Sequence, residues 1–153
     1  LNETTMLYKQ KDRFTKEQLK EFSILFIMIN YPDTVLSKIE QLSEIKFSSE
    51  ENDNLRIEIL NLLSNEKPEI IKSKINEKYL SLVGEVEKNS SLKNIFENKN
   101  KIDKEEILDE LLEDLKRENQ LKKIEVLENK LVKNLDESSY SDLIKLKSQL
   151  NRD

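Results

Sequence analysis

The segment ILFIMINYPD, residues 24–33, decides the fold. Its first six residues, 24–29, are all apolar, so a helix through them presents apolar side chains on nearly every side. Such a helix must be wrapped by other elements. Asn30, Tyr31 and Pro32 then end it, because the residue before a proline avoids the α region and proline suits the first turn of a following helix. The segment therefore predicts a central helix, a sharp break and a second helix.

The composition favours an all-α protein without catalytic residues. One glycine and two prolines among 153 residues are too few for the tight turns of a many-stranded sheet. The chain has no cysteine and no histidine, which removes disulfides, thiolate metal ligands and the commonest general base. We therefore expect no enzyme activity in this chain, no metal site and no cofactor.

The hydropathy pattern predicts a cytoplasmic protein. No apolar run approaches the roughly 20 residues that cross a bilayer, so we expect no membrane association. There is no signal-peptide pattern, and the chain starts with Leu1. We therefore expect it to be a piece of a longer intracellular protein.

The charges argue against nucleic acid as the main partner. The net charge of −5 is spread evenly along the chain, whereas a phosphate-neutralising protein normally has a basic domain or stripe. We therefore do not expect nucleic acid as the main partner. Two charged clusters are interpreted as solvated helix surface, not as sites for metal or phosphate: Asp109, Glu110, Glu113 and Asp114, and Lys99, Lys101 and Lys104.

Apolar spacing and break signals predict a series of helices. Thr15 and Gln18 form a capping-box pair at the start of the first. The predicted helices cover residues 15–30, 32–42, 50–64, 68–75 and 79–87, a short turn at 92–96, a long helix at 103–134 and a terminal helix at 139–151. The inner faces are predicted to carry Val35, Leu36, Ile39 and Leu42 in the second helix and Leu80, Val83 and Val86 in the helix at 79–87. Phe47 is a predicted core residue, and Gly84 is interpreted as a close helix crossing. Asp103 and Glu106 are expected to cap the start of the long helix.

These helices predict an N-terminal multi-helix bundle, a long connecting helix and a C-terminal two-helix hairpin. The predicted boundaries are a polar linker at 1–14, the bundle at 15–100, and the long helix with the hairpin at 101–153. The hairpin seam would join two apolar sets, Ile124, Leu127, Leu131 and Leu135 on the long helix and Leu143, Leu146 and Leu150 on the last. Tyr140 and Ile144 are either part of that seam or exposed for a partner.

The run at 24–29 followed directly by NYPD at 30–33 resembles the opening of the helicase-binding domain at the C-terminus of bacterial DNA primases. The likeness continues in a second helix, in FSS at 47–49 and in a leucine-rich helix at 55–63. The long helix followed by a short terminal helix is also similar to that family. The resemblance covers about residues 15–153.

The resemblance implies a module that binds the N-terminal domains of a hexameric replicative helicase, recruits primer synthesis to the fork and modulates the helicase. The missing parent would then be a DNA-directed RNA polymerase in a bacterial replisome. Contacts of the family's terminal helix fall near Ser148 and Arg152. Helical phase adds Tyr140, Ile144 and Lys147 as neighbours in the partner-binding site.

Two alternatives remain open from the sequence. The chain could be the N-terminal collar domain of a replicative helicase, which a following ATPase domain in the parent would reveal. It could also be a helical scaffolding or self-association domain that forms a homodimer through the C-terminal hairpin. Sedimentation of the isolated chain separates this second alternative from a monomeric adaptor.

Overall fold

The structure is a computed structural model that describes residues 13–90, 92–133 and 137–151. These residues form an all-α protein in which no strand occurs within the described ranges, which confirms the predicted fold class. The α-helices are α1 (Lys16–Asn30), α2 (Pro32–Val35), α3 (Ile39–Glu44), α4 (Glu50–Asn65), α5 (Ile71–Lys74), α6 (Leu80–Asn89), α7 (Lys93–Phe96), α8 (Lys101–Lys133) and α9 (Glu137–Asn151). Three short 3-10 turns, Leu36–Lys38, Pro68–Ile70 and Glu77–Tyr79, connect them.

Helix α1 is the centre of the bundle. Its start has the predicted capping box: the Thr15 hydroxyl accepts from the backbone N–H of Gln18 at 3.0 Å, and the Gln18 side chain accepts from the N–H of Thr15 at 3.0 Å. Every residue from 21 to 29 is buried. Helices α2, α4, α5 and α6 all pack against α1. The prediction of a central helix wrapped by others is therefore confirmed.

The break after α1 is a joint between several elements. The Asn30 amide donates to the Phe26 carbonyl and to the Glu87 carboxylate of α6, both at 3.0 Å. The Tyr31 ring stacks on Phe96 of α7 with 5.2 Å between centroids. The Lys104 ammonium of α8 lies 4.2 Å from the centre of the Tyr31 ring, a cation–π distance. The residues that end α1 thus also connect it to α6, α7 and α8.

A buried carboxylate connects α1 to the start of α4. Glu21 is fully buried, and one of its oxygens accepts from the Ser48 N–H at 2.6 Å and from the Ser48 hydroxyl at 2.9 Å. The other oxygen accepts from the Asn52 amide at 3.0 Å and from the Ser49 N–H at 3.4 Å. A buried carboxylate is tolerated only when such donors replace its water. Glu21 therefore fixes the connection that leads into α4.

A second polar cluster lies on α4. The Arg56 guanidinium donates to the Asp53 carboxylate at 2.8 and 3.0 Å and to the Leu42 carbonyl at 2.8 Å. The same Asp53 oxygen accepts from the Phe47 N–H at 2.8 Å. Because Arg56 and the Phe47 side chain are both buried, this cluster fixes the connection between α3 and α4 from inside the bundle.

The second helix was predicted to be continuous, and this prediction is wrong. It is divided into α2, a 3-10 turn and α3, since Lys38 has φ −120° and ψ 14°, outside the helical region. The tighter turn changes the helical phase. Val35 and Leu42 are buried as predicted, but Leu36, expected on the inner face, is exposed.

Two predictions for α6 are also wrong. Leu80, expected to be buried, is exposed, because it lies about a third of a turn away from the buried Val86 around the helix. Gly84 marks no close helix crossing: a Cβ atom added there would meet nothing within 4 Å. The glycine lies on an exposed part of the helix.

The long helix α8 has 33 residues, about 50 Å. Asn100 caps its start, accepting from the backbone N–H of Asp103 at 2.8 Å, so the expectation that Asp103 is the cap is wrong. The chain forms two compact units that meet in sequence between Leu112 and Glu113, about three helical turns after the predicted boundary at residue 100. The first turns of α8 belong to the first unit: Leu108 and Leu112 are buried, and the Asp109 carboxylate pairs with Lys38 at 2.9 Å.

The residues before α1 also contact the bundle. The Phe14 ring packs edge-on against Phe22 with 4.9 Å between centroids, and Arg13 lies 3.7 Å from the Glu85 carboxylate. Both residues were assigned to the predicted linker, whose remaining residues lie outside the described range. None of the described helices combines the length and the apolarity that a bilayer crossing requires.

Replacing Glu21 with glutamine tests the buried carboxylate. A glutamine amide turns one acceptor into a donor that faces the donors of Ser48 or Asn52, so Glu21→Gln is expected to lower the free energy of unfolding by about 2–4 kcal/mol. Glu110→Gln, on the exposed surface of α8, is the control and is expected to leave it unchanged. Urea denaturation followed by circular dichroism measures both, and equal stabilities of the two variants would contradict the assigned network.

Candidate protein interaction site

The described part of the second unit consists of residues 113–133 of α8 and helix α9, which we call the terminal helix pair. Ile124 and Leu143, both in the predicted seam, are buried. The other described members of that seam are half-buried: Leu127, Leu131, Leu146 and Leu150. Leu135 lies outside the described residues. The Lys147 ammonium pairs with the Glu128 carboxylate at 3.0 Å, which brings the two helices side by side.

The predicted site residues of α9 lie on one stripe. Tyr140, Ile144, Lys147 and Ser148 follow each other at offsets of four, seven and eight, the spacing of one helix face. Tyr140 is 58% exposed and Ile144 is 47% exposed, so both project to solvent. Lys147 and Ser148 are exposed as well. Of the two interpretations left open for Tyr140 and Ile144, exposure therefore holds for both, whereas Arg152 lies outside the described residues.

Helix α8 adds a second stripe that the sequence analysis missed. Leu121, Glu128 and Val132 are seven and eleven residues apart and share a helix face. Leu121 is 47% exposed and Val132 is 87% exposed. Their spacing could have revealed this face, but it is masked by the stronger seam pattern of Ile124 and Leu131.

The ion pair joins the two stripes into one surface. We call it the ion-pair face: Leu121, Glu128 and Val132 of α8 with Tyr140, Ile144, Lys147 and Ser148 of α9. It combines large exposed apolar side chains with one ion pair whose partners are each about half exposed. Aromatic and aliphatic anchors among neutralised charges are typical of reversible protein–protein contacts.

A groove opens elsewhere on the terminal helix pair. Its volume is about 570 Å³, and its apolar lining comes from Val126, Leu127 and Leu146. Three exposed lysines also line it: Lys122, Lys123 and Lys145. It shares no residue with the ion-pair face.

The acidic side chains of the described residues do not gather into a metal-binding cluster. No group of three or more carboxylate, histidine or cysteine side chains is placed to hold a metal ion anywhere in residues 13–90, 92–133 and 137–151. In the acidic cluster of α8, Asp109 is engaged with Lys38.

Comparison of the chain with known protein families, curated proteins and solved structures finds no match.

Two neighbouring residues of α9 distinguish the seam from the exposed stripe. Leu143→Ala is expected to lower the free energy of unfolding of the terminal helix pair by about 2–4 kcal/mol, because it leaves a cavity in the seam. Ile144→Ala, at a half-exposed position, is expected to cost less than about 1 kcal/mol. Urea denaturation followed by helical circular dichroism measures both, and the reverse order would mean that the stripe is part of the core.

Proposed function

We propose that this chain is the module by which a bacterial DNA primase binds the N-terminal domains of the hexameric replicative helicase. The observation that carries the proposal is the exposure of Tyr140 and Ile144 on the helix where the resemblance implies partner contacts. Large apolar side chains that remain exposed together mark surfaces that another protein covers. Tyrosine in particular is enriched at the centres of interfaces.

The fold supports the same proposal. A bundle around a central helix, a long helix and a shorter terminal helix follow each other in the order that the resemblance implies. The asparagine-tyrosine-proline break, on which the resemblance starts, connects α1 to α6, α7 and α8 through Asn30 and Tyr31. Its residues therefore have structural reasons to occur together.

The mechanism is tethering. The ion-pair face binds the helicase and holds the upstream primer-synthesising domains of the parent near newly unwound DNA, where linkage raises their effective concentration. The chain itself performs no chemistry, and the bundle modulates the helicase from its docked position. The work takes place in the bacterial cytoplasm, at the replication fork.

An affinity series tests the proposal. The chain is titrated against the hexameric replicative helicase of the same organism by isothermal calorimetry. The double variant Tyr140→Ala, Ile144→Ala is expected to bind at least about tenfold more weakly, because it removes both apolar anchors. Lys147→Glu and Arg152→Glu are expected to weaken binding less, and truncation after Asn134 to abolish it.

The matched control is Ile57→Ala, which removes an exposed isoleucine from α4 in the first unit and is expected to leave affinity unchanged. Circular dichroism checks that each substituted chain keeps its helical content. Equal affinities of the wild-type chain, the double variant and the truncated chain would defeat the assignment of the site. Absence of any binding by the wild-type chain would defeat the function.

Self-association is the second candidate, favoured by the 87% exposure of Val132 beside the same ion pair. Two copies meeting through their ion-pair faces would cover these side chains. Sedimentation equilibrium decides it: a dimer that dissociates in Val132→Asp supports self-association, and a concentration-independent monomer excludes it.

A further inference from the structure

The groove of the terminal helix pair has features that the proposed function does not use. On α9 it is lined by Asp142, Lys145, Leu146 and Gln149, whereas the ion-pair face uses Tyr140, Ile144, Lys147 and Ser148. At 100° per residue these two sets lie on opposite sides of the helix. A partner on the ion-pair face therefore leaves the groove open.

The apolar lining gives the groove a driving force for binding. Val126 is 53% exposed, although it lines the same depression as the half-buried Leu127 and Leu146. A ligand that covers these three side chains removes apolar surface from water. The lining thus favours a ligand with an apolar face.

The charges of the groove favour a ligand that carries negative charge. Lys122 has an interaction within the chain, but Lys123 and Lys145 line the groove with a single acid, Asp142, although the whole chain carries a net charge of −5. The local balance is thus opposite to that of the molecule. Carboxylates flanking an apolar strip would meet these ammonium groups at the edges of the contact.

The dimensions of the groove favour a helical ligand. The groove extends over Lys122 to Leu127 of α8 and Asp142 to Gln149 of α9. These segments correspond to about two helical turns, roughly 10 Å along each axis. A third helix laid into the depression between two helices is a common mode of peptide recognition, with anchors at offsets of three, four and seven.

We propose that this groove binds a short, acidic, amphipathic helix of another protein. The apolar face of that helix packs on Val126, Leu127 and Leu146, and its flanking carboxylates pair with Lys123 and Lys145. Because the groove and the ion-pair face share no residue, the inference stands independently of the helicase assignment. It gives the terminal helix pair two surfaces with different partners.

The test uses two labelled helical peptides of about four turns, long enough to retain some helicity. Both carry leucines on one face; the first has glutamates elsewhere, and the second has lysines in their place. Fluorescence anisotropy with the full 153-residue chain is expected to show binding of the acidic peptide, at least about tenfold tighter than the basic one. The affinity of the acidic peptide should fall as salt is raised.

Two valines of α8 provide the matched variants. Val126→Asp places a carboxylate in the groove and is expected to weaken the acidic peptide at least about tenfold. Val132→Asp makes the same change at a more exposed position outside the groove and should leave its affinity unchanged. Lys123→Glu and Lys145→Glu should each weaken binding about two- to fivefold.

Three outcomes overturn the proposal: equal binding of the two peptides, equal effects of the two valine variants, or no binding of the acidic peptide. A homodimer that Val126→Asp dissociates, with no peptide bound, would assign the groove to a second copy of the chain and would also overturn it. Thermal unfolding monitors the fold of each variant. Binding that survives Val132→Asp and is lost in Val126→Asp supports the proposal.

Discussion

The burial of α1 on every side is the constraint on which the first unit depends. Nine successive residues, 21–29, are removed from solvent, so this helix gains its stability from tertiary packing and not from its own hydrogen bonds. Helices α4 and α6 must be in place before its apolar surface is covered. The single acid in this segment, Glu21, is acceptable only because the connection to α4 supplies its donors. The burial of the apolar side chains of α1 and the hydrogen bonds of Glu21 thus require the same placement of α4 against α1.

The terminal helix pair is packed much less extensively than the first unit. Its seam is narrow: Ile124 and Leu143 are buried, while the remaining seam leucines that the structure describes are only half-buried. A narrow seam leaves most of each helix surface uncommitted. That is why apolar side chains such as Val132 and Tyr140 remain exposed beside the Glu128–Lys147 ion pair, and why a groove remains elsewhere on the pair. Clusters of exposed apolar side chains are a common feature of protein–protein interaction sites.

Much of the fold was predictable because its signals are local. The Thr15 capping box, the break at Pro32 and the extent of α8 each follow from residues a few positions apart, and the structure has all three. The buried state of Glu21 was not predictable from local spacing, because its donors come from the connection into α4, 27 to 31 residues away. The sequence did contain a signal for α4, because Asn52 and Arg56 lie on the same helix face as Leu55, Ile59 and Leu63. Polar residues on an apolar helix face indicate a hydrogen-bond network inside the protein.

The residues that form the exposed α9 stripe were predictable from the sequence, but their exposure was not. Helical phase grouped Tyr140 with Ile144, but only the packing of the seam determines whether such residues at its border are covered. The α8 stripe escaped prediction because Leu121 and Val132 are separated by three turns and mixed with seam residues. The groove escaped it too, since a groove exists only once two helices lie side by side.

Amide hydrogen exchange followed by NMR tests the central claim most directly, namely that the first unit is built around a fully enclosed α1 while the terminal helix pair is held by its own narrow seam. Amides of residues 21–29 are expected to exchange only through global unfolding of the first unit. Amides of α9 are expected to exchange through a separate opening of lower free energy. Equal protection of α1 and α9, changing together with denaturant, would contradict the account, because it would mean that the terminal helices belong to the same cooperative core.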